Sequence, residues 1–335
     1  MPSTSNEPLL TVKNLGLDIV PRRSRTAIPV LLDVDFTVAR GESVCVVGES
    51  GSGKSMTTRA IMRLLPDGAR PRGSVTFGGS DVFSMTAKAL SRFRSREIGM
   101  IYQDPRAHVN PLWTVGDFLT EGVVTSGLMS KPEARRKALA LLQEVGIPDG
   151  ERRLKQYPHQ LSGGLLQRMM IVMTLMPEPE LIIADEATTA LDVTVQADVM
   201  AVFASLKKHR ELSLLFITHD LDLAAAVADT IVVMYAGRVI ERGPARDVYF
   251  RPSHPYTSAL LRSRPNPRSQ AKLESIPGRP IAAAEAGTGC AFAPRCPFAQ
   301  ARCRSSVPEL REYGNGTVAC HRAEELQDEL MEVAG

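Results

Sequence analysis

The run Gly48-Glu-Ser-Gly-Ser-Gly-Lys54-Ser55 restricts what this chain can fold into more than any other segment. It fits the spacing G-x-x-x-x-G-K-[ST] of a phosphate cradle. The flanks agree with it. Ser43-Val-Cys-Val-Val47 is short, apolar and β-rich, and reads as a buried strand. From Lys54 to Leu65 there is neither Gly nor Pro, which predicts a helix. A strand, a Gly-rich loop and a helix N-terminus together point backbone N–H groups at an anion. Gly48, Gly51 and Gly53 free the backbone to bend. Glu49, Ser50, Ser52 and Met56 complete the expected contact segment. Lys54 is placed for the β- and γ-phosphates and Ser55 for Mg²⁺.

Two further strand ends carry polar groups suited to the same chemistry. Leu181-Ile-Ile-Ala184 is another apolar run, ending in Asp185-Glu186. Acids at the C-terminal edge of a parallel strand lie where open α/β sheets bind ligands. Asp185 suits the Mg²⁺ shell, and Glu186 suits orientation or deprotonation of an attacking water. Leu214-Leu-Phe-Ile-Thr218 ends in His219, within reach of a γ-phosphate. Gln103, in Ile101-Tyr-Gln-Asp-Pro105, is the remaining polar candidate, read as catalytic and as a Mg²⁺ ligand with Ser55 and Asp185. Leu161, Ser162, Gly163 and Gly164 precede a predicted helix from about Leu165 to Met176. That helix start offers free N–H groups and a positive dipole end.

The run Leu161-Ser-Gly-Gly-Leu-Leu-Gln-Arg168 resembles the signature of ABC ATPases. The Gln103 segment resembles their Q-loop, Thr189-Ala-Leu-Asp192 their D-loop, and Thr218-His219 their switch histidine. The resemblance covers about residues 9–325 and implies an α/β fold. That fold is a P-loop NTPase core with an antiparallel β subdomain, an inserted helical subdomain and a small C-terminal appendage. It also implies a mechanism. Two nucleotide domains dimerise head to tail, with ATP between the lysine loop of one and the signature of the other. Gln167 joins the signature contacts, and Asp192 contacts the opposite subunit. Closer still, three stretches resemble the ATPase subunits of dipeptide, oligopeptide and nickel importers: Ile98 to Pro111, Tyr157-Pro-His-Gln-Leu-Ser-Gly-Gly164, and the tail. The tail runs through His254-Pro-Tyr256, Ile276-Pro-Gly278 and Gly289-Cys290 to Cys296. Two positions depart from the family pattern. Ile19 stands where an aromatic residue stacks on adenine, leaving Arg22 or Arg23 as substitutes, and Ala187 stands where Pro follows the catalytic acid.

Composition narrows the alternatives. A net charge of +3 gives no electrostatic reason to invoke nucleic acid. No run approaches 18 apolar residues, so no helical membrane span is expected, nor a secretory leader. A length of 335 residues exceeds one core, and 44% hydrophobic residues suffice for a large domain plus an appendage. The expected division is a disordered 1–8, a nucleotide-binding domain over 9–250 with a helical part over about 104–180, and an extension over 251–335. Within the first domain, Leu9 to Gly41 alternates as an antiparallel sheet. Ser43 to about Gln103, resumed from Leu181 to Val239, is expected to form the parallel core.

Cys290, Cys296, Cys303 and Cys320 are spaced C-x5-C, C-x6-C and C-x16-C. A cytosolic setting disfavours disulfides. The gaps are loose for zinc, which prefers C-x2-4-C knuckles, whereas a [4Fe–4S] cluster accepts wider spacing. The cluster is the leading reading, with zinc and unmetallated thiols as alternatives. Arg295 and Arg302 are placed to offset cluster charge, and His321 to support Cys320. Cys45 reads as buried core. The resemblance therefore implies an ATP- and Mg²⁺-dependent peptide-import ATPase at the cytoplasmic membrane face. Its expected partners are two permeases, a second ATPase as a heterodimer, an extracytoplasmic binding protein and no nucleic acid. A nickel or small-solute importer, or a soluble ABC ATPase on ribosomes or DNA, is the alternative.

Overall fold

The computed structural model describes residues 7–22, 26–186, 193–264 and 275–331. The strands in chain order are β1 (Leu10–Ile19), β2 (Ile28–Val38), β3 (Ser43–Val47), β4 (Ala69–Phe77), β5 (Ser80–Asp81), β6 (Ile98–Ile101), β7 (Leu181–Asp185), β8 (Ser213–Thr218), β9 (Thr230–Tyr235), β10 (Arg238–Pro244), β11 (Arg311–Tyr313) and β12 (Gly316–Val318). The helices are α1 (Lys54–Ile61), α2 (Ala87–Arg92), α3 (Val115–Thr125), α4 (Lys131–Glu144), α5 (Gly150–Arg153), α6 (Gly163–Leu175), α7 (Val193–Arg210), α8 (Leu221–Val227), α9 (Ala245–Phe250), α10 (Pro255–Arg262), α11 (Ala301–Ser305) and α12 (Gln327–Met331). The chain forms two compact units, one from 1–83 with 218–335 and one from 84–217.

In the first unit, β2, β1, β4 and β5 form an antiparallel sheet in that order. Val12 faces both Phe36 and Val75 across the ladder, and all three are buried. The alternation in Leu9 to Gly41 thus does build antiparallel strands. The stretch between Ser43 and Gln103 behaves differently from expectation, because only β3 and β6 of it are parallel strands. Ala69–Phe77 pairs antiparallel with β1 instead. Its Arg70 and Arg72 are exposed, which suits a sheet with one wet face and not a doubly covered strand.

The second sheet segment of this unit places β3 parallel to β9, with Cys45 opposite Ile231 and Val46 opposite Val232. Val44 to Val47 and Ile231 to Met234 are at most 1% exposed, as continuous apolar runs covered on both faces should be. β10 returns antiparallel to β9, and the β11–β12 hairpin adds to β10 through Glu241 opposite Val318. The C-terminal extension is therefore stitched into the sheet that carries the phosphate loop. Helix α1 ends at Ile61, short of Leu65, because Arg63 takes a left-handed φ of 51° and the chain turns.

Glu241 explains how α10 is launched from this sheet. Its carboxylate accepts the backbone N–H groups of Ser253 (2.6 Å) and His254 (3.0 Å). The His254 Nδ1 then accepts from the Tyr256 N–H at 3.0 Å, capping the helix. Burial pushes the Glu241 carboxyl up to about 7, against the pull of those two donors, and burial holds His254 neutral, down to about 3. Because the folded protein holds the Glu241 proton more tightly than the unfolded chain, this group's contribution to stability falls as pH rises from 4.5 to about 7. The expected loss across that window is on the order of 2 kcal/mol. Urea denaturation at several pH values checks it, and Glu241→Gln should show a shallower slope there than the parent.

In the second unit, β6, β7 and β8 are parallel, with Ile98 opposite Leu181 and Ile182 opposite Leu214. Helix α4 packs on α3 and α6. It buries Ala134, Ala138, Leu141 and Leu142, an apolar stripe at helical spacing. Ser130 and Glu133 cap its start reciprocally, while Thr114 caps α3. Arg210 grips Glu144 with two bonds of 2.8 and 2.6 Å, tying the end of α7 to the end of α4.

Candidate nucleotide site

In the first unit, strand β3 delivers the chain into the loop from Gly48 and helix α1 receives it at Lys54. Gly48 has a φ of 153°, and a Cβ there would stand 2.2 Å from the Met234 backbone oxygen and 2.9 Å from the Ser52 Oγ. No rotamer relieves a clash with backbone. Gly48→Ala should destabilise the protein by about 1–3 kcal/mol and shift the loop, reducing nucleotide affinity. Thermal unfolding and nucleotide titration check both effects.

Lys54 is 5% exposed, and its ammonium donates to the carbonyls of Gly48 (2.7 Å) and Glu49 (3.0 Å). It thus lies folded against the loop that it is expected to leave for phosphate oxygens. Ser50 and Gly51 are exposed, Ser55 and Met56 half-buried, and Ser52 buried. Thr57 Oγ1 donates to the Gly53 carbonyl at 3.0 Å, tying α1 to the loop. Cys45 is fully buried behind the loop, and burial pushes its thiol far up, as an inert core thiol requires.

His219 follows β8 and is exposed. The turn beneath it is fixed on both sides. Thr218 Oγ1 accepts from the Asp220 N–H at 3.0 Å, and the Asp220 carboxylate caps α8 through Asp222 and Leu223.

The second unit brings Gln103 and Glu186 together. Gln103 Nε2 donates to the Glu186 carboxylate at 2.9 Å. Asp185 closes β7 opposite Ile217, and the Glu186 N–H donates to the Ile217 carbonyl at 3.0 Å. Glu186 holds a left-handed φ of 48°, uncommon for a residue with a side chain and a strain that clusters at functional sites. In the signature, Ser162 is exposed and caps α6, accepting from the Leu165 N–H at 3.4 Å. Leu161 is buried, and Gly163 and Gly164 are half-buried at the helix start.

Gln167 corrects the sequence expectation. It lies on the buried face of α6 with no exposed surface, and its amide has no hydrogen-bond partner among the described residues. Its neighbours on α6, Leu166, Met169 and Met170, are buried with it, so its side chain packs inside the protein and does not reach the surface. Asp192, the rest of the D-loop and Ala187 lie outside the described residues. Ile19 is half-buried at the end of β1, while Arg22 is exposed and pairs with Asp67 at 2.5 Å; Arg23 is outside the described residues.

Sequence reasoning missed one group of contacts on the loop. The Glu49 carboxylate is held by both terminal nitrogens of Arg295, at 2.6 and 3.0 Å, and the Glu49 N–H donates to the Tyr256 hydroxyl at 2.8 Å. Arg295 was expected to balance charge at the cysteines; its charge is instead matched by Glu49. Arg302 is exposed. Arg322 is the cation beside the thiols: it lines their cavity and lowers the Cys296 thiol against the larger effect of burial. The visible signal was the His254-Pro-Tyr256 motif itself, whose aromatic residue had no assigned role.

Cys290, Cys296, Cys303 and Cys320 line one small cavity with His321, Arg322 and Phe292. Burial, with a smaller push from the neighbouring cysteines, raises the Cys296 thiol to about 11 and the Cys320 thiol to about 12. The four sulfurs therefore feel one another. His321 Nε2 is engaged by the Ser306 carbonyl at 2.9 Å. Among the described residues, no group of three or more His, Cys, Asp or Glu is drawn tightly enough to hold a single metal ion. The lining holds four thiols, the imidazoles of His254 and His321, and no carboxylate.

Comparison with known proteins agrees with these observations. The ABC transporter family matches residues 31–189, and the oligopeptide/dipeptide transporter C-terminal region matches 240–303. A putative peptide import ATP-binding protein of Brucella melitensis is 44% identical over 91% of this chain and 94% of its own length. The dipeptide transport ATP-binding protein DppD of Haemophilus influenzae is 42% identical over 98% and 99%. The oligopeptide transport ATP-binding protein OppD of Escherichia coli is 42% identical over 96% and 95%. Among solved structures, a dimeric ATP-binding cassette in a post-hydrolysis state with ADP and phosphate aligns at TM-score 0.62 and 27% identity, over 71% of this chain and 99% of that one. On this sequence and structural evidence, the chain is an ABC-type ATPase and belongs to the ABC transporter ATP-binding family, in the branch carrying the oligopeptide/dipeptide transporter C-terminal region.

Proposed function

We propose that this chain is the ATP-hydrolysing subunit of an importer for di- or oligopeptides. The observation that carries the reading is near full-length similarity to peptide-import ATPases, extending through the C-terminal extension to residues beyond the nucleotide core. Gly48 to Met56 would bind the triphosphate, and Ser55, Asp185 and Gln103 would hold Mg²⁺, which supplies charge neutralisation at the phosphates when bound. Glu186 polarises the attacking water while Gln103 orients its carboxylate and His219 senses the γ-phosphate. Catalysis of this kind is positioning plus charge stabilisation.

The transport cycle follows from the exposed signature. Ser162, Gly163 and Gly164 at the start of a 13-residue helix offer a positive end to the γ-phosphate held by a second ATPase, which is a similar but distinct chain. Two permeases receive the motion at the cytoplasmic membrane face, and an extracytoplasmic binding protein supplies the solute. No helix among the described residues is long and apolar enough to cross a membrane. Deleting the gene should abolish uptake of labelled di- or oligopeptides and leave nickel uptake unchanged. The reverse result would assign the chain to a metal-ion importer.

The thiol cavity supports a second assignment. Cys290, Cys296, Cys303 and Cys320 would hold a [4Fe–4S] cluster, whose chemistry there is to cross-link the extension through iron–thiolate bonds. Anaerobically purified protein should then contain iron and acid-labile sulfide in equal amounts. Stoichiometric zinc without sulfide would replace this reading.

A further inference from the structure

We propose that Arg295 is a positioning residue of the phosphate loop, through which the cysteine-bearing extension sets how tightly that loop binds ATP. The proposal rests on reading Gly48 to Ser55 as the ATP cradle. The contact is a built one. The Arg295 side chain is 5% exposed and that of Glu49 is 21% exposed, so the pair is largely out of water. Both guanidinium nitrogens meet both carboxylate oxygens, the planar geometry that lysine cannot supply. The guanidinium is itself fixed. Its Nε donates to the Pro277 carbonyl at 2.8 Å, and it lies over the rings of Tyr235 and Phe292, which pack with Tyr256 in one aromatic cluster.

Glu49 is therefore gripped at three points. Arg295 holds its carboxylate and the Tyr256 hydroxyl its N–H, while Lys54 holds its carbonyl. When Lys54 turns to phosphate, the two grips from the extension remain. They keep the first turn of the loop in its binding shape, and a preorganised loop loses less entropy on capture. Arg295 also sits in the turn between Cys290 and Cys296, where the Arg295 and Cys296 N–H groups share the Phe292 carbonyl at 2.9 and 3.0 Å. Any change in the shape of that turn moves the guanidinium and is felt at the loop.

The test uses full-length protein carrying Arg295→Met, Glu49→Gln or both, with ATP binding by calorimetry, steady-state hydrolysis and thermal unfolding. Either single change should raise the Kd and KM for ATP about tenfold, with kcat falling less than KM rises, since the loop loses the anchor that holds its first turn in shape. Because both changes remove the same contact, the double variant should lose about as much affinity as either single change and not the product of the two. Glu49→Gln leaves the packing of the extension whole, so it still reads the effect if Arg295→Met fails to fold. Tyr256→Phe, which removes only the hydroxyl, should raise Kd by a smaller factor. Single variants that bind ATP as the parent does would overturn the proposal. So would deficits that multiply in the double variant, or a double variant that binds ATP as the parent does. A parent protein that itself binds no ATP would instead refute the cradle reading.

Discussion

Glu186→Gln is expected to keep ATP bound and to lower turnover by about 10²–10⁴-fold, the range for removing a general base. The substitution keeps the side chain's length and its left-handed backbone, so the geometry at the end of β7 should survive. What is lost is the negative charge that Gln103 now aims by donating to it at 2.9 Å. Uncharged, the group no longer draws a proton from water in the transition state, while the phosphate loop, in a different part of the chain, is untouched. Phosphate release and equilibrium ATP binding measured on one preparation check the two halves of the claim. Turnover within a few-fold of the parent would assign the base elsewhere.

Lys54→Ala should have the opposite profile, losing binding before chemistry. The ammonium is 5% exposed and held by two carbonyls of its own loop. Phosphate oxygens carry charge and carbonyls do not, so exchanging one for the other strengthens each bond. A hydrogen bond to a charged group contributes roughly 1.5–3 kcal/mol, and every 1.4 kcal/mol is about tenfold in affinity. The Kd for ATP should therefore rise by about a hundredfold. The free protein should also lose about 1–2 kcal/mol of stability, because the Gly48 carbonyl loses the ammonium and the Glu49 carbonyl keeps only the Ser52 N–H at 3.2 Å. An ATP titration and a urea melt separate the two effects. An unchanged Kd would mean that the loop does not hold the triphosphate.

Local pattern made the strand–loop–helix unit legible, because β3 and β7 are short apolar runs with no competing period and Gly48 tolerates no side chain. The helical character of about 104–180 was legible, and within it α4 buries an apolar stripe at helical spacing. Three features were not legible, each for a physical reason. Ala69–Phe77 reads as a strand only once β1 is present to pair with it, since register is a property of two segments. Gln167 looks like a binding residue beside Gly163 and Gly164, and only the packing around α6 reveals that its side chain is buried. The grip of Arg295 on Glu49 spans 246 positions, and no motif marks which acid a buried arginine will find. The Glu241 carboxyl, which launches α10 and so places Tyr256, was hidden for the same reason.

The central claim is that ATP joins two ATPase chains, the lysine loop of one facing the serine-capped helix of the other. Ser50 and Ser162 are both exposed, one on each feature. Chains carrying Ser50→Cys and Ser162→Cys, in the Glu186→Gln background and in the presence of the partner ATPase altered likewise, should form a covalent dimer under mild oxidation. The account predicts that product with Mg-ATP and not with ADP. Its absence under ATP, or equal yield with either nucleotide, would contradict it.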